Sequence, residues 1–127
     1  MSIFSEQLAF MIATNQQPNE KLYMELIREE YSEMATGWGK YQKEPSKENL
    51  TEVVDGAIDS IYVLAGFLNS LIGTDKAIQC WDEVHRSNMS KCGPEGVKYR
   101  EDGKILKPSS YFRPDIIGIL TDMYKIV

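Results

Sequence analysis

Residues 49–73 read NLTEVVDGAIDSIYVLAGFLNSLIG, a run whose apolar positions fall on nearly every side of a helix. Leu50, Val53, Val54, Ala57, Ile58, Ile61, Val63, Leu64, Phe67, Leu68 and Leu71 leave no wide polar face, which predicts a central, buried helix. Ser46 or Asn49 supplies its start, Asn49 and Glu52 having the spacing of a capping box, and Gly73 supplies a left-handed stop. Yet Glu52, Asp55, Asp59 and Tyr62 stand at i, i+3, i+7 and i+10, one polar line along that helix. Acidic groups on a core helix are costly to bury unless something compensates them.

The segment upstream carries the same conflict. A helix is expected over 20–41, with Leu22 and Leu26 setting an apolar stripe that Met24, Ile27, Met34 and Trp38 widen. The next positions on the stripe are Glu29, Glu30 and Glu33. A first helix is expected over 2–14, carrying Phe4, Leu8, Met11 and Ile12, followed by a polar loop, 15–19, that ends in a helix cap. Thr74 is expected to cap a fourth helix, 75–91, whose stripe runs Ile78, Trp81, Val84, His85, Asn88, Lys91 before Gly93-Pro94 stops it. Residues 97–100 and 104–107 flank a turn containing Gly103 and predict a small hairpin, and Pro114 opens a short last helix over 115–124. The expected fold is therefore all-α: a four-helix bundle with a small C-terminal β-hairpin and a short terminal helix, forming one domain over 1–127.

Composition removes several function classes. Fourteen Lys+Arg against nineteen Asp+Glu give a net charge of −5, the wrong sign for gripping nucleic acid by its phosphates. Two cysteines make neither a disulfide framework nor a four-ligand zinc site. One histidine, His85, leaves every histidine-dependent catalytic scheme resting on a single residue. No apolar run approaches the ~18 residues of a membrane span, so the chain is expected to be cytoplasmic, with neither membrane nor nucleic acid as partner.

Carboxylates one turn apart repel, and two facing sets multiply the repulsion. The few basic residues at matching positions do not neutralise them all. Hard divalent cations do: Mg²⁺, or Mn²⁺ in its place, prefers carboxylate oxygen and retains waters that a substrate displaces. A di-iron carboxylate bundle needs Glu-x-x-His on two helices, which one histidine does not supply.

The full pattern is Glu29-Glu30-x-x-Glu33, eighteen intervening residues, then Glu52-x-x-Asp55. With Asn88-x-x-Lys91 and the stretch Arg100-Glu101-Asp102-Gly103-Lys104, the chain from about Leu8 to Asp115 resembles the MazG-like, all-α nucleoside triphosphate pyrophosphohydrolases, whose signature is EExxE followed by ExxD. It looks like the short single-domain members common in phages and bacteria, some of which, the MazZ-like type, act on (d)GTP. The resemblance implies that Glu30, Glu33, Glu52 and Asp55 bind Mg²⁺, and that Glu29 orients or deprotonates the attacking water. Glu29, Glu30 and Glu33 would then form the catalytic set. The implied reaction is attack at the α-phosphorus of a nucleoside triphosphate, giving a monophosphate and pyrophosphate; a dUTPase and a phosphoribosyl-ATP pyrophosphohydrolase belong to the same family.

The remaining candidates have two readings each. Short family members place part of the base pocket where Asn15 and Gln16 stand, though a turn has the same composition. Asp59 either lines the nucleotide pocket or bonds Tyr62. Asn88 and Lys91, and more weakly Arg86, either reach a phosphate or form a solvated helix end. A catalytically silent helical interaction module is the reading from another class. The surplus of apolar face on several helices predicts a homo-oligomer, and related enzymes are homodimers or homotetramers.

Overall fold

The computed structural model describes residues 2–124 and is all-α. Its helices are α1 (Ile3–Ala13), α2 (Glu20–Lys43), α3 (Lys47–Ile72), α4 (Thr74–Met89) and α5 (Ile116–Leu120), the last continued by a 3₁₀ turn, Thr121–Tyr124. The chain divides between Thr74 and Asp75 into two compact units, the first holding α1–α3.

Local chemistry sets the helix ends of the first unit. Ser2, Asn19 and Ser46 each accept a backbone N–H from one turn ahead, the ordinary work of an N-cap. Helix α1 closes on Asn15, which has φ 58°. Its N–H bonds the Ile12 carbonyl at 3.1 Å, and the N–H of Gln16 bonds the Met11 carbonyl at 2.8 Å. This pair of bonds is a Schellman closure, with asparagine in the left-handed position usually given to glycine. At the other end of the unit Gly73, with φ 85°, stops α3. Asn49 does not cap α3: its amide donates to the Glu44 carbonyl at 2.9 Å and ties the end of α2 to the start of α3. The expected reciprocal bond with Glu52 is not formed, because Glu52 turns toward Lys40 instead, at 3.7 Å.

Helices α2 and α3 approach each other through glycine. A methyl group at Gly56 would stand 2.9 Å from the Met34 Cα, and one at Gly37 would stand 3.5 Å from the Val53 nitrogen. Farther along, Gly66 lies directly under the Tyr23 ring and the Gln7 amide. The seam of α3 is thus Gly56, Ser60, Ala65, Gly66 and Asn69, all buried. Phe4, Met11, Tyr23 and Ala65 form the apolar core of this unit.

That seam corrects the expectation of a buried central α3. Because small residues face α2, the large ones face away: Leu50, Ile61, Leu64 and Leu71 are exposed, and Val54 and Ile58 are 52% and 57% exposed.

In the second unit Ala77 and Ser87 are the buried positions of α4. Thr74, the last residue of the first unit, begins this helix rather than capping it, and within that first unit its hydroxyl donates to Asn69 Oδ1 at 2.8 Å. Ser87 Oγ donates to the Phe112 carbonyl at 2.7 Å, and Lys76 Nζ donates to the Ile119 carbonyl at 2.9 Å. Asp115 caps α5 by accepting from the Gly118 N–H at 2.9 Å. The expected hairpin is reduced to one antiparallel bridge, Tyr99 with Ile105, around the turn at Gly103, and no strand occurs among the described residues. Every residue from 97 to 107 is exposed, so neither face of the ribbon is packed, and an unpacked two-stranded ribbon has little to hold it in register.

Replacing Gly56 with alanine forces the Met34 backbone away and is expected to destabilise the protein by roughly 1–3 kcal/mol. Chemical denaturation compares it with Gly39→Ala, where nothing lies within 4 Å of the added methyl and stability is expected to hold or rise. Equal effects at the two positions would refute the close-approach account.

Candidate active site on the paired long helices

The glycine seam brings the carboxylates of α2 and α3 to one place. Glu33 from α2 and Glu52 and Asp55 from α3 line a single cavity of about 330 Å³, together with Ser32, Thr36, Gly37, Lys40 and Gly56. Glu30 lies one turn before Glu33 on α2. Its Oε2 is buried and has no hydrogen-bond partner among the described residues. Burial pushes the Glu30 carboxyl above its ordinary range first, and repulsion from Glu33, Asp59 and Glu29 pushes it further. Glu29, Glu30, Glu33 and Asp59 are therefore one electrostatic neighbourhood, bordering the cavity that Glu33 shares with Glu52 and Asp55.

Two fully buried acidic stripes are not what the helices form. Glu29, Glu33, Glu52 and Asp55 are exposed, and only Glu30 and Asp59 are half-buried. The reason is again the seam: glycine-to-backbone packing fills the interhelical space, and the acidic residues flank it along a groove open to solvent. An open groove suits a site that admits a charged ligand. Asp59 does not bond Tyr62, whose ring instead sits edge-on to Phe10 with centroids 5.6 Å apart.

Lys40 is the residue that the stripe reading passed over. It lines the same cavity and faces Glu52, a basic partner for one carboxylate. Its spacing from Glu33, seven residues on one helix, was available in the sequence. The pair is exposed on both sides, so its attraction is screened and it leaves the cavity's acidic excess in place.

For a divalent cation, the donors fit in kind: hard oxygen ligands around a common cavity, with an orphaned carboxylate oxygen beside it. Among the described residues no three His, Cys, Asp or Glu side chains stand close enough together to enclose an ion.

Asn15 and Gln16 follow directly on α1. Asn15 is the left-handed residue of the Schellman closure, and Gln16 accepts the Tyr23 hydroxyl proton on Oε1 at 2.7 Å. Tyr23 in turn accepts from Gln7 Nε2 at 2.9 Å. Gln7 and Asn69 of this network carried no sequence signal, since each sits singly on an apolar helix face.

Arg86, Asn88 and Lys91 belong to the second unit. Arg86 donates to both oxygens of Glu83, at 2.9 and 3.2 Å, and its guanidinium lies 4.3 Å from the Phe112 ring centre. The Arg86 bond, followed by the N–H of Asp115, holds the Glu83 carboxyl below its ordinary range. Asn88 is exposed at the end of α4. Lys91 lies beyond that helix with its ammonium 5.9 Å from the Tyr111 ring centre, and Lys107 stands 5.0 Å from the same ring. No protein-family model matches the chain, and no curated protein is significantly similar to it.

The Glu30 environment sets a pH dependence. Its carboxyl keeps a proton above the ordinary value of 4.5, so the native state binds more protons than the unfolded chain between 4.5 and the raised value. Stability from this group is fully present below 4.5 and is lost as pH rises through the raised value. Glu30→Gln removes the effect and keeps the volume. In metal-free buffer its melting temperature is expected to gain on the wild type as pH rises from acid to neutral, then level off. A difference that does not vary with pH would show that Glu30 is not strained by its neighbours.

Proposed function

We propose that this chain is a Mg²⁺-dependent nucleoside triphosphate diphosphohydrolase, a four-helix-bundle enzyme of the MazG-like kind that converts a (d)NTP to a (d)NMP and pyrophosphate. The observation that carries the reading is the acidic groove: Glu33, Glu52 and Asp55 around one cavity, beside Glu30 with a buried oxygen that lacks a partner. A cavity with this acidic excess does not attract a polyanion by itself, and the same excess attracts a cation. Glu30, Glu33, Glu52 and Asp55 are the residues that would hold Mg²⁺, with Mn²⁺ as a substitute. When bound, the ion offsets the triphosphate charge and stabilises charge developing on the phosphoryl oxygens.

The chain's own groups supply the rest. Glu29 is exposed beside Glu30 and accepts the proton of the attacking water. The water oxygen bonds to the α-phosphorus, the bond to the α–β bridging oxygen breaks, and pyrophosphate leaves with that oxygen. Lys40 adds one positive charge at the cavity wall for the departing phosphates. Gln16 and Asn15 contribute to holding the base. A purine such as (d)GTP is the favoured substrate on the resemblance to short phage enzymes, with dUTP and phosphoribosyl-ATP as the competing ones.

The chain works as a homodimer or a larger homo-oligomer. The exposed face of α3 supports this: Leu50, Val54 and Ile58 line a second, shallow apolar cavity of about 500 Å³ with Lys47, Thr51 and Asp55. Asp55 lines both cavities, so a copy seated on this face would border the acidic groove. The same face also favours the competing reading, a silent helical interaction module, and metal response separates the two.

Glu33→Gln and Asp55→Asn are each expected to lower pyrophosphate release at least 100-fold while the helical circular dichroism is unchanged. In ¹⁸O-labelled water the label is expected in the nucleoside monophosphate. Label in orthophosphate, or full activity of either variant at saturating Mg²⁺, refutes the assignment, and a chain indifferent to Mg²⁺ and Mn²⁺ in both stability and activity is the silent module. Light scattering is expected to give a mass of at least twice 14.5 kDa, reduced by Val54→Asp. A fully active 14.5 kDa species would end the oligomer proposal.

A further inference from the structure

Lys40 neutralises a carboxylate that a divalent ion in the groove would also need. Gly37, one turn earlier on α2, rests against the α3 backbone: a methyl group there would stand 3.6 Å from the Glu52 carbonyl carbon and 3.5 Å from the Val53 nitrogen. The seam therefore fixes the Glu52 backbone beside the end of α2, and Lys40 reaches across to it, Nζ to Oε2 at 3.7 Å. The Lys40 backbone is held too, its carbonyl accepting the Glu44 N–H at 2.9 Å where α2 closes. Between that fixed backbone and the ammonium lies a flexible stem, and the side chain is 58% exposed. The charge is free to move while its attachment is not.

Among the described residues Lys40 is the one cation lining the acidic cavity, facing Glu33, Glu52 and Asp55. Lys43 shares the last turn of α2 but does not line that cavity. The helix dipole accounts for a lysine at either position, and it does not account for a bond to the facing helix. Glu33, Glu52 and Asp55 border one space without converging on a point. Of the three, Glu52 is the one with a basic partner among the described residues. A carboxylate already engaged by an ammonium is available to a second cation only in the fraction of molecules that have released it, which lowers the apparent affinity for that cation.

We propose that Lys40 is an exchangeable counter-ion of the groove: it occupies Glu52 while no divalent ion is bound, releases that carboxylate to one, and then offers its ammonium to the polyphosphate. The proposal rests on the metal-dependent hydrolase reading and deepens it, making Lys40 the link through which metal and phosphate binding favour each other. An exposed pair of this kind is weak, and weakness suits exchange. A tight pair would keep the ion out, and with no pair the like charges of the groove would stand unrelieved. A Lys40 that merely tied α2 to α3 would add to stability and leave the affinity for either ligand unchanged.

The test is Mn²⁺ binding to the metal-free chain without nucleotide, followed by the electron paramagnetic resonance of the free ion. Lys40→Met keeps the stem and removes the charge, and the dissociation constant is expected to fall roughly 2- to 5-fold. Lys40→Arg keeps the charge and grips a carboxylate with a fork of N–H groups, so it is expected to bind Mn²⁺ more weakly than the wild type. Lys43→Met makes the same change of net charge outside the cavity and is expected to leave the constant where it was. In turnover at saturating Mg²⁺ the sign reverses: Lys40→Met is expected to raise KM several-fold for the dNTP hydrolysed fastest. An unchanged constant in Lys40→Met, an equal shift in Lys43→Met, or a Lys40→Arg variant that binds as tightly as the wild type overturns the competition for Glu52. An unchanged KM overturns the transfer to phosphate. Either result leaves the hydrolase reading standing. A chain that binds Mn²⁺ and hydrolyses no dNTP overturns the hydrolase reading, and the Mn²⁺ constants still decide the exchange at Glu52. Mn²⁺ binding that is absent, or indifferent to Asp55→Asn, overturns the metal site and this proposal with it.

Discussion

Everything in the first unit depends on how closely α2 and α3 can approach. Gly37 and Gly56 let one helix backbone rest against the other, Gly37 beside the Val53 backbone and Gly56 beside the backbone and Cβ of Met34. Several features follow from this contact. It fixes the register in which Glu33 stands opposite Glu52 and Asp55, and it leaves the groove beside the seam free for those side chains and Lys40. It also turns the large residues of α3 outward. A leucine seam of ordinary interaxial spacing, roughly 8–10 Å, would hold the acidic sets farther apart and cover the apolar face that α3 exposes.

How much of this was legible in the sequence follows from what each signal measures. Periodicity located α1, α2, α3 and α4 within a few residues because an apolar repeat reports on helix formation directly. Ser46, Asn19 and Gly73 marked boundaries because capping is local chemistry. The direction in which α3 faces was not legible. Its apolar residues surround the helix, so the choice of buried side fell to Gly56, Ser60 and Gly66, which a hydrophobicity count ignores. For the same reason the carboxylates are exposed or half-buried where apolar-stripe logic placed them inside. The hairpin failed for a tertiary reason: residues 97–107 have turn chemistry and β-prone side chains but no surface to pack on.

The candidate site was legible in its members and not in its surroundings. Glu29, Glu30, Glu33, Glu52, Asp55 and Asp59 were identified by spacing, and the structure brings them to one groove and its border. Lys40 was legible in principle, on the face of Glu33. The polar network behind Gln16 was not, because Gln7, Tyr23 and Asn69 come from three different helices and meet only after folding. Single polar residues on apolar faces are hard to interpret before their partners are known, and here each partner is another such residue.

The glycines of the seam also bear on how the protein reaches its native state. Each interior glycine weakens an isolated helix by roughly 1 kcal/mol relative to alanine, and α2 and α3 each contain two. Neither helix is therefore strongly favoured by its own sequence, and each gains most of its stability from lying against the other. Helix formation and helix pairing are thereby coupled. Conformations in which one long helix is formed and the other is not are then sparsely populated, and the acidic residues of the two helices are brought together only in molecules that have also closed the seam.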